Sequence, residues 1–438
     1  MTPFELGFAV TASLVVLIVF GVPVAFVIAG VAITVLVWQE GLGALQPAGD
    51  AVLTSLENYT LVAVPLFILM GVAASLSPAG GDMREMLKRW LHKIPGGLIV
   101  ANILASAVFS ALSSTGAGTC LAIGRKGLPE LRERRYSESV AAGALAGAGT
   151  LGILVPPSLT LIVYGIAGSF SIGRLFLAGI TPGILLTALF VAWALIAARR
   201  WRGRYGGFAR GYTGGEMLAL LPRVLPFVAL VLGVLYAFWT GIPEAPAVAG
   251  FAAVVCGLLV AGIYGMWRQG DLVAILREAT RESVAVLFII AAAAIFSFML
   301  YRFGVPDALA IAIADQRLPT LTLIAAVSVF LVAAGLFLPP IAIILMFLPI
   351  IIPTLLAEGI DPYWFGIVMT LNFQIALLMP PAGANLQTVR HLAPDLPIGA
   401  VLRGAVPYIV MIVAVIAVLC FFPGIATWLP DWLMGPAP

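Results

Sequence analysis

The chain has 438 residues, 62% of them hydrophobic and only 10% charged, with 23 Lys and Arg against 20 Asp and Glu for a formal charge of +3. Soluble domains carry about 25% charged residues, so a soluble globular protein is excluded, and so slight a basic excess says little about nucleic acid. Several uncharged stretches exceed the roughly 18 residues that a membrane-crossing helix needs; the charges then report topology, because short cytoplasmic loops are rich in Lys and Arg.

The first apolar stretch, 6–37, is too long and too apolar for a cleaved secretory leader. It and 59–79 are read as crossings. Three basic stretches follow: DMREMLKRWLHK (82–93), RKGLPELRERR (125–135) and RRWRGRYGGFAR (199–210), the last with five arginines and no acid. All three are expected in the cytoplasm. With crossings at 6–37 and 59–79 ahead of them, the N-terminus is expected outside.

Between the first two basic stretches lies an apolar segment, 94–124, whose ends both face the cytoplasm. Two full crossings would need about 40 residues at 1.5 Å each. About 30 residues fit a re-entrant hairpin, with its turn at SSTGAGT (113–119). Non-helical backbone at membrane depth is tolerated only under protein or beside a wet cavity, so the hairpin belongs inside the protein. A crossing helix with a small-residue packing face is the other reading.

Residues 138–167 and 172–198 then cross out and back, joined by GSFSIGR, and Pro156-Pro157 interrupts the first of them. Proline in a helix interior removes a backbone hydrogen bond and costs about 3 kcal/mol. Stretches 219–237 and 243–264 follow, then a cytoplasmic linker with Arg268, Arg277 and Arg281. The second half opens with an outward crossing from about 283 to Arg302. An apolar segment, 321–359, breaks at GLFLPP (335–340) with both ends outside, 364–389 crosses inward through Pro380-Pro381, and 400–427 leads out. Each half thus holds a hairpin followed by a helix broken at Pro-Pro, opening to opposite sides. The expected fold is an all-α polytopic membrane protein of the inverted-repeat, elevator type, with two re-entrant hairpins and two broken helices. Its parts are N-terminal scaffold helices (1–81), a first repeat core (82–198), scaffold helices and a linker (199–282), and a second repeat (283–438). Secondary transporters place such half-helix ends at mid-membrane to hold ions and anionic substrate groups.

Ionisable groups are scarce there. Glu57, Glu138 and Glu244 fall near segment ends, as do His92 and His391, and Cys120, Cys256 and Cys420 are too scattered for a disulfide framework or metal cluster. A proton pump usually shows an acid or histidine at midplane; a sodium site built from carbonyls and hydroxyls needs neither. The candidates are Ser113, Ser114, Thr115 and Gly116 at the first tip, with Gly149 and Thr150 before the first break. In the second half they are Gly335 to Pro340, including Pro339, with Asn372, Gly383, Asn385 and Thr388 around the second break. Asn372, Gln374, Asn385 and Gln387 are either interhelical glue or ligand contacts. Thr160 and Tyr164, one turn apart beyond Pro156 and Pro157, either line a pathway or pack. Ser171 and Arg174 sit in an outer connection, an ordinary loop unless an external partner meets it.

The stretches VPLFILMG (64–71), SSTGAGTCLAIG (113–124), LGILVPPSLTLIVYGIAGSFSIGRLFLAGITPG (151–183), IIIPTLLAEGIDPYWFGIVMTLN (350–372) and MPPAG (379–383) resemble the large membrane subunit, DctM-like, of tripartite ATP-independent periplasmic transporters. The resemblance covers nearly the whole chain. It implies sodium-coupled import of small organic anions, often carboxylates such as dicarboxylates, keto acids or sialic acid, across the bacterial inner membrane, by an elevator that moves hairpins and broken helices against a scaffold. It also implies a periplasmic substrate-binding protein and a small four-helix membrane subunit, here a separate chain, with sodium ions for coupling and both termini periplasmic. By similarity the first tip cluster falls on Ser113 to Gly116 and the first break on Pro156-Pro157. The second pair falls on Gly335 to Pro340 and on Pro380 to Gly383. Many members carry SGSA with an Asp shortly after, where this chain has SSTG and Thr119. Other readings are a stand-alone cation-coupled organic anion permease or antiporter, a channel, or a membrane enzyme; an enzyme would need convergent His, Asp, Glu or Cys, and none falls at mid-membrane.

Overall fold

The computed structural model describes residues 2–200, 211–241, 244–315, 319–381 and 383–436. Every regular element among them is helical, and seven spans of 18 or more residues are long and apolar enough to cross a membrane. Shorter apolar helices supplement them.

The expected single crossing at 6–37 is two helices, α1 (Pro3–Val19) and α2 (Val24–Glu40). Gly21 takes φ +85°, a conformation open to glycine, and Pro23 caps α2 because proline cannot continue a helix but suits its start. Thr2 and Glu5 form a reciprocal capping box at the head of α1. A short helix, α3 (Leu45–Leu56), leads to α4 (Ala63–Leu76).

The basic stretches 82–93 and 125–135, expected as loops, are largely helical. They lie in α5 (Ala79–Trp90) and in the second half of α7 (Gly116–Glu133), which follows α6 (Gly97–Ser113). Both stretches are rich in Leu, Glu, Lys and Arg, which favour helix, and their charges pair. Glu130 of α7 meets Arg84 and Lys88 of α5, the latter at 3.1 Å, while Glu85 accepts from Arg89 at 3.1 Å. These bonds hold the stem of α7 to α5. Residues 201–210 of the third basic stretch lie outside the described residues.

Next come α8 (Glu138–Gly149), a 3-10 turn (Thr150–Ile153), the break at Pro156-Pro157, α9 (Leu159–Gly168) and α10 (Ile172–Arg200). A short α11 (Gly214–Leu218), α12 (Leu221–Thr240) and α13 (Ala245–Tyr264) follow. The expected linker at 268–281 is instead the first part of one continuous helix, α14 (Gln269–Arg302), because nothing from Asp271 to Arg302 is Gly or Pro. After α15 (Val305–Asp315), the broken segment at 321–359 is α16 (Thr320–Gly335) and α17 (Pro340–Ala357). The second Pro-Pro break separates α18 (Pro362–Leu377) from α19 (Ala384–Leu392); α20 (Ile398–Phe421) and α21 (Gly424–Met434) end the chain. Both Pro-Pro peptide bonds are cis.

The core is held in two layers of contact. α4 packs on α13, and α14 lies along α2, α3, α4 and α17. Inside, α6, α7 and α8 pack together, with α19 against α7 and α20 against α8. Gly143 and Gly404 let α8 and α20 touch backbone to backbone: a β-carbon on Gly143 would stand 2.0 Å from the Gly404 carbonyl carbon. Elements remote in sequence thereby converge on the end of α8.

Candidate functional site

The first tip is the dipeptide Ser114-Thr115 between α6 and α7. Ser114 closes α6 in the left-handed region at φ +54°, a conformation that costs a non-glycine residue roughly 1–2 kcal/mol. Thr115 caps α7, its Oγ1 accepting the Gly118 N–H at 3.2 Å. The Ser113 and Thr119 hydroxyls, 2.5 Å apart, both lie within bonding distance of the Thr115 carbonyl, at 3.1 and 2.9 Å. The turn is thus locked by its own hydroxyls, and Thr119 stands inside that lock.

The end of α8 meets this tip with no side chain between. A β-carbon on Gly152 would stand 2.3 Å from the Thr115 carbonyl oxygen, and one on Gly149 would stand 2.1 Å from Cys120 Sγ. The Cys120 thiol donates to the Leu145 carbonyl at 3.4 Å. Ser158, which the sequence reading passed over, bridges the first break. Its hydroxyl donates to the Ile153 carbonyl at 2.5 Å and caps α9; a serine directly after Pro-Pro and before an apolar run was the available signal.

From the other half of the chain, Asn385 Nδ2 donates to the Ala146 carbonyl at 3.0 Å, and its Oδ1 lies 2.7 Å from where a Gly116 β-carbon would stand. Gln374 Nε2 donates to the Thr150 carbonyl at 3.1 Å. Ser113, Ser114, Thr115, Gly116, Gly149, Thr150, Gln374 and Asn385 are therefore brought to one junction. Three buried oxygens there, Ser114 Oγ, Gln374 Oε1 and Asn385 Oδ1, have no hydrogen-bond partner in the protein. Leaving a buried polar atom unsatisfied costs about 1–3 kcal/mol. Hydroxyl, amide and helix-end carbonyl oxygens form a donor set for a hard cation, and the same ends present free N–H groups to anions. No cluster of three His, Cys, Asp or Glu able to hold a metal occurs among the described residues.

The remaining candidates sit apart or serve the frame. Gly335 packs on α18, where its β-carbon would stand 2.6 Å from Ala376 Cβ, and Pro339 caps α17. The second tip therefore touches α18 two residues from Gln374 through apolar atoms. Asn372 donates to Ser328 Oγ at 3.2 Å and to the Val368 carbonyl at 2.9 Å, tying α18 to α16. Gly383 precedes α19, Thr388 donates to the Ala384 carbonyl of its own helix, and Gln387 reaches the Pro381 carbonyl from an exposed position. Ala382, between Pro381 and Gly383, lies outside the described residues. Tyr164 donates to the Pro362 carbonyl at 2.6 Å and stacks on Phe170, so it fastens α9 to α18; Thr160 is buried in α9. Arg174 is buried against Asp431 and the Gly435 and Pro436 carbonyls, and Ser171 caps it from the preceding turn.

The model of the DctM component of tripartite ATP-independent periplasmic transporters matches residues 11–425. The chain is 31% identical over 377 residues to the C4-dicarboxylate TRAP transporter large permease protein DctM of Pseudomonas aeruginosa, covering 86% of this chain and 87% of that one. It is 30% identical over 419 residues to the sialic acid TRAP transporter large permease protein SiaM of Vibrio cholerae, covering 95% and 96%. Its fold is similar to the crystal structure of the Alcanivorax borkumensis YdaH transporter, with a TM-score of 0.65 at 14% identity over 97% of this chain and 100% of that one. With a family match running almost end to end over a helical frame that gathers the tip, both Pro-Pro helices and their orphan oxygens, the chain belongs to the DctM family, the large membrane component of tripartite ATP-independent periplasmic transporters.

Proposed function

We propose that this chain is the solute-translocating subunit of a sodium-coupled, binding-protein-dependent importer of small organic anions, most simply carboxylates, in a bacterial inner membrane. Membership of the family makes it a multi-pass transporter component that moves small organic solutes, not an enzyme. The two relatives named above carry C4-dicarboxylates and sialic acid, which are carboxylates. The observation that carries sodium coupling is the group of orphan oxygens Ser114 Oγ, Gln374 Oε1 and Asn385 Oδ1. They fit a cation that takes neutral oxygen ligands, and Ser113, Thr115, Gly116, Gly149 and Thr150 surround it with helix-end backbone. Bound sodium supplies positive charge where an anionic solute must sit. Gln374 and Asn385 join the two halves of the chain, so filling the site couples them. Gly335, Pro339, Gly383 and Thr388 are the candidates for a second site, the broken-helix residues Pro156, Pro157, Thr160, Tyr164, Pro380 and Pro381 frame the solute path, and Asn372 ties α18 to α16 beside it.

Two hairpins (α6–α7, α16–α17) and two broken helices (α8–α9, α18–α19) form inverted repeats in this reading, moving as an elevator against a scaffold of 1–81 and 199–282. Two ion pairs join helix ends that this topology puts on the same face. Arg132, near the end of α7, meets Asp395 beyond α19, and Arg174 at the start of α10 meets Asp431 of α21. In this reading the first pair lies on the cytoplasmic side and the second on the periplasmic side. With α1, α2 and α4 as three crossings ahead of the basic α5, the N-terminus is periplasmic, as is the C-terminus.

The test is uptake into proteoliposomes holding this chain, the small subunit and the binding protein encoded nearby, with candidate organic acids. Uptake needing both an inward sodium gradient and the binding protein is the expected result. Uptake by this chain alone, indifferent to the binding protein, would replace the reading with an independent permease.

A further inference from the structure

We infer that the outer half of the second hairpin is seated on a built site for one lipid acyl chain. A cavity of about 460 Å³ lies between α1, α14 and α15 on one side and α16 and α17 on the other. That volume is of the size that takes a small organic ligand, about 300–1,000 Å³. Its walls are almost entirely apolar, and the Thr11 hydroxyl is already committed to the Gly7 carbonyl of its own helix at 2.8 Å. The other lining hydroxyl, Thr354, lies beside Leu355 near the end of α17, and no charged side chain is among the lining residues.

The cavity has a direction. Its lining reaches Pro3, Val305 and Leu355, close to the head of α1, the head of α15 and the tail of α17. At the other end of the lining is an aromatic group: Phe347 packs edge-on against Phe330, centroids 4.9 Å apart, and against Phe296 at 6.5 Å. From Leu355 down to Phe347 is eight residues, about 12 Å at 1.5 Å each. One leaflet of a bilayer is about 15 Å of hydrocarbon. An apolar slot that runs along the helices for most of a leaflet's depth, from the helix ends to a group of phenyl rings, matches an acyl chain lying parallel to the helices. The membrane supplies that ligand at every moment. A chain so held stands between α14 and the second hairpin, in contact with both. The inference rests on the membrane placement of the protein and on neither sodium coupling nor substrate.

The test uses the full chain in nanodiscs containing phosphatidylethanolamine with a diazirine in one acyl chain, irradiated and mapped by peptide mass spectrometry. Adducts on Phe330 and Phe347 several-fold above those on Val254 and Leu258, which are exposed on the outer face of α13, are expected. Ala326→Trp, which fills the slot, should remove the Phe330 and Phe347 adducts and leave those at Val254 unchanged. Even labelling of all lipid-facing positions, or slot adducts that survive Ala326→Trp, would overturn the site. Slot labelling lost only when the small subunit is added would make the occupant a protein helix instead. The wild-type map stands whether or not the tryptophan variant folds.

Discussion

Ser297 on α14 donates its hydroxyl to the Leu345 carbonyl of α17 at 2.9 Å, and that carbonyl is the one Pro349 leaves without an intrahelical N–H. One turn further along, Tyr301 does the same for the Pro349 carbonyl, at 3.2 Å, which Pro353 leaves bare. Two prolines four apart on one helix are answered by two hydroxyls four apart on its neighbour. This is how α17, long and apolar enough to cross a membrane, carries two interior prolines where an unpaired carbonyl would have no water to turn to.

Ser297→Ala should therefore destabilise the protein by about 1–3 kcal/mol, the cost of a bared buried acceptor. Pro349→Ala returns an N–H to α17, so Ser297→Ala combined with Pro349→Ala should be more stable than Ser297→Ala alone. A double-mutant cycle on thermal midpoints in detergent measures that coupling. Simple additivity of the two changes would show that the serine and the proline-freed carbonyl do not depend on one another.

At the tip, Asn385→Ala and Ser114→Ala should each raise the sodium concentration needed for half-maximal uptake while the protein still inserts and folds. Asn372→Ala serves as the contrast. Its amide is used between α18 and α16, so it should lower stability by about 1 kcal/mol and leave the sodium response where it was. An unchanged sodium response in both Asn385→Ala and Ser114→Ala would remove these residues from the ion site.

Much of this arrangement was legible in the chain, and the parts that were not share a cause. Ser113 to Thr119 and the two Pro-Pro pairs announce breaks because proline and clustered small polar residues act on their own backbone, locally. The split at Gly21 and Pro23 was missed because a single Gly and Pro inside a long apolar run also fit a kinked crossing. Helical α5 and the tail of α7 were read as loops because loop charge and helix charge look alike until Glu130 is seen between Arg84 and Lys88. The meeting of Gln374 with Thr150, and of Ser297 with Leu345, depends on packing between distant segments, which no spacing along the chain encodes. Asn372 and Asn385 resemble each other in sequence, yet one binds two helices together and the other keeps a bare oxygen at the junction.

The pair of Arg132 with Asp395 carries a pH signature. Hydrogen bonding to the Arg132 guanidinium holds the Asp395 carboxyl below the ordinary aspartate range. A carboxylate depressed in the folded state stabilises above its unfolded pKa, and that contribution is lost as pH falls through the folded value. The thermal midpoint of Asp395→Asn should lie slightly below wild type at neutral pH, a small gap because the group is solvent-exposed. The gap should close below about pH 4, near the ordinary aspartate value. A gap that widens in acid would mean that the pair opposes folding.

The topology can be tested from both faces with single cysteines. Cys120 and Cys256 are buried and Cys420 is partly so, which makes Cys420→Ser a quiet background for labelling. Arg134→Cys lies at the end of α7, beside the basic residues assigned to the cytoplasm, and Glu358→Cys lies at the end of α17. A membrane-impermeant maleimide should reach Arg134→Cys only in inside-out vesicles and Glu358→Cys only in right-side-out ones. The two hairpins then open to opposite sides, as inverted repeats require, and the lipid slot beside Leu355 faces the periplasmic leaflet. Labelling of both from one side would place the hairpins in parallel. An alternating site between Gln374, Asn385 and the first tip would then lose its geometric basis, whatever the uptake assay returned.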